Sequence, residues 1–401
     1  MQQQRSKAIW IVAILVAFFF FIDPFRLFTG GRIPTVRESR ETQTELANYL
    51  ASAEPAADTV LDLLRTSDVV LIGESGYARE QIMFAADLIP VLDSAGVRNL
   101  GYQYANREDQ ALIDQLVTAT TFDEQLARRI LFDHLCVLGY QEHVEVFRSA
   151  WEVNRRKGSS DEPFRIVGLS NRLDYEVFTN QDDLKDPAVM AQVFATGIPD
   201  VVIAETIATE FLERNVKAVA YMQMDHAFTG LQRPSYEEEL AAIGFGGTRR
   251  AGNALRDEYG NRVVSAALHG PVRDSRSRIG YGYPAGGVID RAIPTDGGQG
   301  RTVGFVTADS PFADVRVYGD AVPADTEGGV TLRDYADAYL IVAPIDSLTG
   351  LTPIADFITE ENREQAIRTF PGVSPEGASV EDLNEFIAGN AKSIADVFRK
   401  F

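Results

Sequence analysis

Apolar positions along the chain fall into two alternating rhythms. Short unbroken apolar runs end in turns, and each is followed by residues recurring at helical spacing. The run DVVLIG predicts a first strand over 68–73, followed by a helix carrying Ile82, Ala85, Ala86, Ile89 and Leu92 on one face. RNLGYQYA reads as a second strand and EDQALIDQLVT as the next helix. Thr121, with Glu124 three residues on, has the form of a capping box opening TFDEQLARRILFDHL. A long helix over QEHVEVFRSAWEVNRR and a third strand over 164–170 come next. Helix is then expected over roughly 186–214, and a fourth strand, VKAVAYMQM, runs into Asp225-His226. A helix near AGNALRDEYG precedes a strand over 262–269, with later strands at TVGFVTA and AYLIVAP. Ahead of the first strand, ETQTELANYLASA and DTVLDLLRTS have helical patterns. Alternation in this order predicts an α/β fold, a mostly parallel sheet with helices on both faces. The segment 271–301, rich in Gly, Pro and Arg, reads as a long loop of the kind that often carries function.

The two ends stand apart from this pattern. Arg5 and Lys7 precede an unbroken apolar run from Ala8 to Ile22. The run is shorter than the ~20 residues of a spanning helix, unless it extends to Phe28 with Asp23 and Arg26 in the interface. No small-residue cleavage site follows, so residues 1–28 are expected to be an uncleaved anchor. Positive charge before the run places the rest of the chain on the extracytoplasmic side. Residues 29–40 form a polar linker, 41–375 the α/β domain, and 376–401 a C-terminal amphipathic helix. That helix, capped by Ser379, repeats Val380, Leu383, Ile387, Ala391, Ile394, Val397 and Phe401, a stripe suited to packing on the core.

Composition narrows the chemistry. Net charge is −20 over 401 residues, which argues against nucleic acid or an anionic lipid surface as the main partner. The one cysteine, Cys136, excludes an intramolecular disulfide, and its apolar setting LCVLGY suits a buried inert thiol. With only four histidines, any metal site must lean on carboxylates.

The stretch Gly73-Glu74-Ser75-Gly76 follows the first strand at the place where α/β proteins bind ligands. It is close to the nucleophile elbow G-x-S-x-G, but Tyr77 stands at the final glycine. Read as an elbow, Ser75 would need His226 or His269 as base and Glu205 or Asp225 as acid. The competing reading is a serine packed in a turn. Polar residues also stand at successive strand ends: Glu74, then Gln103 and Tyr104, then Asp174 and Tyr175, then Asp225 and His226, then His269. On a parallel sheet they would share one rim, where a carboxylate and imidazoles can hold a divalent metal or move protons. Glu74 and His226 are the candidate metal ligands. His134 and His143 sit in helical segments and suit surface or satisfied core roles. Arg249, Arg250, Arg273, Arg276 and Arg278 stand out in an acidic chain and could clamp a carboxylate or phosphate.

VVLIGESGYAREQ resembles the first motif of the superfamily joining erythromycin esterases, ChaN-like haem-uptake proteins and the TIKI/TraB proteases. NLGYQYANREDQALIDQL is similar to its second block and VAYMQMDHAFTG to the block that normally reads G-x-x-H. LRDEYGNRVVSAALHGP, VGFVTADSPF and YADAYLIVAP resemble later blocks, so the likeness spans most of 68–345. It implies a metallohydrolase or haem-binding ancestry. Gly76 replaces the family histidine, Gln103 the strand-two glutamate, and Gln223 the glycine of G-x-x-H, whereas Glu74 and His226 are kept. Exchanging Glu for Gln removes the charge that would hold a cation or take a proton. The resemblance therefore implies a degenerate site that binds a small ligand or a protein partner. The alternatives are an active hydrolase, metal-assisted or Ser75-based, and haem binding with His226, His269, Tyr102 or Tyr104 as axial ligand. Glu74, His226, Ser75 and His269 are the catalytic candidates, and Gln103, Tyr104, Asp225 and Arg273 the ligand-binding ones.

Overall fold

The computed structural model describes residues 36–75, 78–158, 161–232, 234–274, 277, 279–293, 302–319 and 330–401. The expected membrane segment 1–28 and most of the linker lie outside the described residues. Among those described, no helix is long and apolar enough to cross a membrane.

Eleven strands occur among the described residues: β1 Val69–Glu74, β2 Asn99–Asn106, β3 Arg165–Ser170, β4 Ala218–Gln223, β5 Val263–Leu268, β6 Val272–Arg273, β7 Tyr281–Gly282, β8 Val303–Val306, β9 Arg316–Val317, β10 Val330–Thr331 and β11 Ala338–Ile341. Seven form the main sheet in the order β3-β2-β4-β1-β5-β11-β8. All its pairings are parallel except β8 with β11. β1 is central, aligned with β4 from Val69↔Ala218 to Glu74↔Gln223, and every one of its residues is buried. An unbroken apolar run is what a parallel strand covered on both faces requires.

Helices cover both faces, as the alternation predicts. One face packs Val70, Ile72, Leu100, Tyr102, Tyr104, Val219 and Tyr221 against helices Arg79–Ser94, Gln110–Thr118, Glu124–His134 and Gln141–Arg155. The other packs Val69, Leu71, Ala220 and Met222 against helices Arg40–Ser52, Pro199–Ile207 and Ala251–Tyr259. Gly73 permits the closest of these approaches. A Cβ there would stand 2.8 Å from the Met224 Cα, so the short helix Met224–Ala227 can rest directly on β1.

Several expectations shift in detail. The helix after Thr121 begins at Glu124, and Asp123 is its cap, accepting from the Leu126 N–H at 3.0 Å. The single helix expected over 186–214 is broken into Pro187–Val193, Pro199–Ile207 and a π-helical turn Ala208–Leu212. Gly197 takes a φ of +118°, Ile198 is extended as a residue before proline prefers, and Pro199 starts a new helix. Within 271–301 the described residues form the β6–β7 hairpin and a short helix, Val288–Ala292, in addition to loop. The C-terminal helix runs Val380–Phe398 with the expected Ser379 cap, reinforced by Asp382 as a capping box. Its Leu383, Phe386 and Ile387 join the main core, and Phe398 packs with Ala78, Ile345 and Leu348.

Candidate functional site

The polar strand ends divide between the two layers. Side chains alternate along a strand, so Glu74 shares the face of Val70 and Ile72. Its carboxylate is 1% exposed and accepts a short hydrogen bond from the Tyr104 hydroxyl. Tyr102 and Tyr221 are fully buried, and burial followed by the Glu74 charge raises both phenols well above their ordinary pKa. The Tyr102 hydroxyl lies 2.6 Å from His143 Nδ1, and the His143 ring packs 4.6 Å from that of Tyr104. His143 Nε2 and the Tyr221 hydroxyl are buried and have no hydrogen-bond partner among the described residues. Burial, then the neighbouring His134, pushes the His143 pKa down to about 3, and burial pushes His134 down to about 4. His143 is therefore a neutral hydrogen-bonding group at the centre of a tyrosine-rich cluster around Glu74.

His226 belongs to the other layer. It sits in the helix Met224–Ala227, whose Met224 and Ala227 pack into the second core. Its Nδ1 lies 2.8 Å from Oδ1 of Asp200, at the start of helix Pro199–Ile207. Asp200 is 1% exposed, and it also accepts from Tyr236 O–H, from Arg250 Nη1 at 3.2 Å and from the Ala251 N–H at 2.8 Å. The Arg250 guanidinium lies 3.5 Å from the centre of the Tyr236 ring and 3.6 Å from the Asp225 carboxylate. Burial alone would raise the Asp200 pKa. The facing His226 and Arg250 and the donated hydrogen bonds outweigh it and hold the carboxyl well below its usual range.

Ser75 and His269 are neighbours, but not as nucleophile and base. The Gln81 side chain exchanges hydrogen bonds with Ser75 and donates to the His269 carbonyl at 2.9 Å. Gly270 makes room for this knot. A Cβ there would run into Ser75 Oγ and stand 2.7 Å from Gln81 Nε2. The His269 ring, fully buried, lies between the Tyr339 hydroxyl at 2.9 Å and Asp290 Oδ1 at 3.0 Å. Among the described residues Ser75 meets no imidazole.

The other expected groups are placed as follows. Gln103 Oε1 accepts from the Gln223 N–H at 2.7 Å, tying β2 to β4. Asp174 caps a short 3₁₀ turn, and Tyr175 packs in a separate small apolar cluster around Phe178. Arg273 lies 5.9 Å from the Tyr281 ring across the hairpin, and Arg249 contacts Gln232 and Asp257. Arg276 and Arg278 lie outside the described residues. Among those described, no group of three or more His, Cys, Asp and Glu side chains is arranged to hold a metal ion. Glu74, held by Tyr104, and His226, held by Asp200, stand in different layers.

Sequence reading passed over Gln81 and Asp200 and left His143 in a bland role. His143 had a legible signal, because helical spacing puts it on the stripe of Phe147 and Ala150, which points inward. Asp200 had none, since its partners lie 26 or more positions away along the chain, and the Gln81 contact to the His269 carbonyl spans 188 positions.

No protein-family model matches the sequence, and comparison with curated proteins gives no match. Solved structures do align. A Bacillus cereus protein superposes with a TM-score of 0.50 at 11% identity, covering 78% of this chain and 98% of its own. A succinoglycan biosynthesis protein does so with a TM-score of 0.51 at 10% identity, covering 79% and 99%. A mutant erythromycin esterase in its open conformation aligns over 75% of this chain and 95% of its own, with a TM-score of 0.45 at 9% identity. The chain shares its α/β fold with the Bacillus cereus protein and the succinoglycan biosynthesis protein over most of the length of each. At such identities the likeness is one of architecture, and chemistry has to be read from this chain's own side chains.

Proposed function

We propose that this protein is a membrane-anchored, extracytoplasmic member of the esterase/ChaN-like fold with a degenerate hydrolase site, and that its sheet rim binds a small ligand or a protein partner. One arrangement carries the reading: Ser75 is held by the Gln81 side chain while His269 is engaged at both ring nitrogens, so among the described residues the serine is not paired with a base. Glu74, held by Tyr104, serves in this reading as a recognition carboxylate. The N-terminal apolar run supports the anchor, and protease protection of the chain in sealed vesicles tests its orientation.

The deciding measurement is the metal content of the purified full-length chain beside His226→Ala, together with turnover across ester, amide and peptide panels. The expected result is no tightly held metal after loading with zinc, manganese and iron, and no turnover. Near-stoichiometric metal lost in His226→Ala, or turnover abolished by that substitution, would overturn the binding reading in favour of a hydrolase. The Asp200–His226 contact favours this second reading, because a carboxylate behind an imidazole is how general bases are oriented. Haem binding is tested by titration, where absence of a Soret shift removes it.

A further inference from the structure

We infer that Asp200 is a positioning residue that fixes His226 as the Nδ1–H tautomer and thereby presents the Nε2 lone pair to a hydroxyl of a bound ligand. The inference rests on the reading that this rim receives a ligand, and it names the atom that would meet it.

Oδ1 of Asp200 faces His226 Nδ1 at 2.8 Å and the Ala251 N–H at 2.8 Å. Oδ2 receives Tyr236 O–H and Arg250 N–H. An ionised carboxylate only accepts hydrogen bonds. Arg250 and the backbone amide can only donate. Burial, then the Asp200 charge, raises the Tyr236 pKa strongly, so its hydroxyl keeps its proton and donates as well. Each of these three partners therefore demands an ionised Asp200, and a proton on Oδ1 would collide with one of its donors. His226 Nδ1 must then be the fourth donor. A neutral imidazole carries one N–H and one lone pair, so Nδ1–H leaves Nε2 as the acceptor. His226 keeps 12% of its side-chain surface exposed, so the imidazole is not sealed in as Asp200 is.

The supporting frame is built to resist the alternative. Arg250 is clamped between the Tyr236 ring at 3.5 Å and Asp225 at 3.6 Å. Asp200 is thereby anchored at its far oxygen, which orients the near one toward the ring. Outer partners of this kind routinely set the tautomer and orientation of a functional histidine. The ligand chemistry that follows is a hydrogen-bond donor, such as a hydroxyl or a water held by the ligand.

The test is long-range ¹⁵N–¹H correlation spectroscopy of the full-length chain labelled in its histidines near neutral pH. There are four histidines, and the His226 signals are those lost in His226→Ala. For the neutral ring the expected spectrum is the Nδ1–H form, with Nε2 unprotonated. In Asp200→Asn, whose amide can turn either an oxygen or an NH₂ to the ring, that preference should relax to a mixture of tautomers. Finding the neutral His226 ring as Nε2–H in the unmodified protein would overturn the inference, and that result needs no variant to fold. An unchanged tautomer in folded Asp200→Asn would overturn it equally. The tautomer is read with nothing bound, so failure to find a ligand would count against the proposed function without touching this result.

Discussion

His143 should make the protein acid-sensitive in a way that one substitution removes. The ring is 1% exposed, its Nδ1 is held by Tyr102, and burial followed by His134 lowers its pKa from 6.5 to about 3. In the unfolded chain it titrates near its ordinary value. Between those two values the unfolded state binds the extra proton, so stability is complete above pH 6.5 and falls as the pH drops toward 3. The slope is about 1.4 kcal/mol per pH unit for one group. From pH 8 to pH 5 this amounts to about 2 kcal/mol, and by pH 3 to about 5 kcal/mol, for this single ring. Carboxylates also titrate in the lower part of that range, so the comparison must be differential. Urea unfolding of the unmodified chain and of His143→Gln at pH 8, 6 and 5 isolates the contribution. Glutamine can still meet the Tyr102 hydroxyl but does not titrate. The variant is expected to be less stable at pH 8 because the packing is disturbed, with the gap closing by about 2 kcal/mol at pH 5. Two stability curves running parallel over that range would refute the reasoning, since His143 would then not be buried as a neutral group.

Other outcomes follow from single contacts. Gly73→Ala drives a methyl against the Met224 backbone and is expected to cost about 1–3 kcal/mol by the same urea assay. Arg250→Met removes the cation from a buried carboxylate and should cost about 3–5 kcal/mol, whereas Arg249→Met, at a more exposed ion pair, should cost under about 1 kcal/mol. Burial pushes the Cys136 thiol up to about 12, so the native protein should resist an aromatic disulfide reagent at pH 8 and react fully once unfolded. Rapid reaction of the native protein would place that thiol at the surface.

Much of the architecture was legible because it is written in local periodicity. The runs at β1, β3, β4 and β5 are short and mostly apolar, and helical stretches lie between most of them, so a parallel sheet covered on both faces was the natural packing. The last helix announced itself through Ser379 and its stripe. Local competition was harder to read. Thr121 and Asp123 are both good caps, and only the packed helix chooses between them. Pro199 was visible, yet its neighbour Gly197 at positive φ is what lets the chain turn before a new helix begins.

The candidate site divides along the same line. That polar groups cluster where strands end was determined by the sequence alone, since apolar runs must stop where the covering layers stop. Which of those groups meet was decided by tertiary structure. Alternation along β1 sends Glu74 into one layer with Tyr104, and the turn after β4 sends His226 into the other with Asp200. Residues at adjacent strand ends can thus lie on opposite sides of a sheet. Their hydrogen-bond partners, Asp200 for His226 and Tyr102 for His143, stand 26 and 41 positions away along the chain. Periodicity reports which face a residue occupies within its own element, but a hydrogen bond depends on where two elements come to rest, and packing of the whole core decides that.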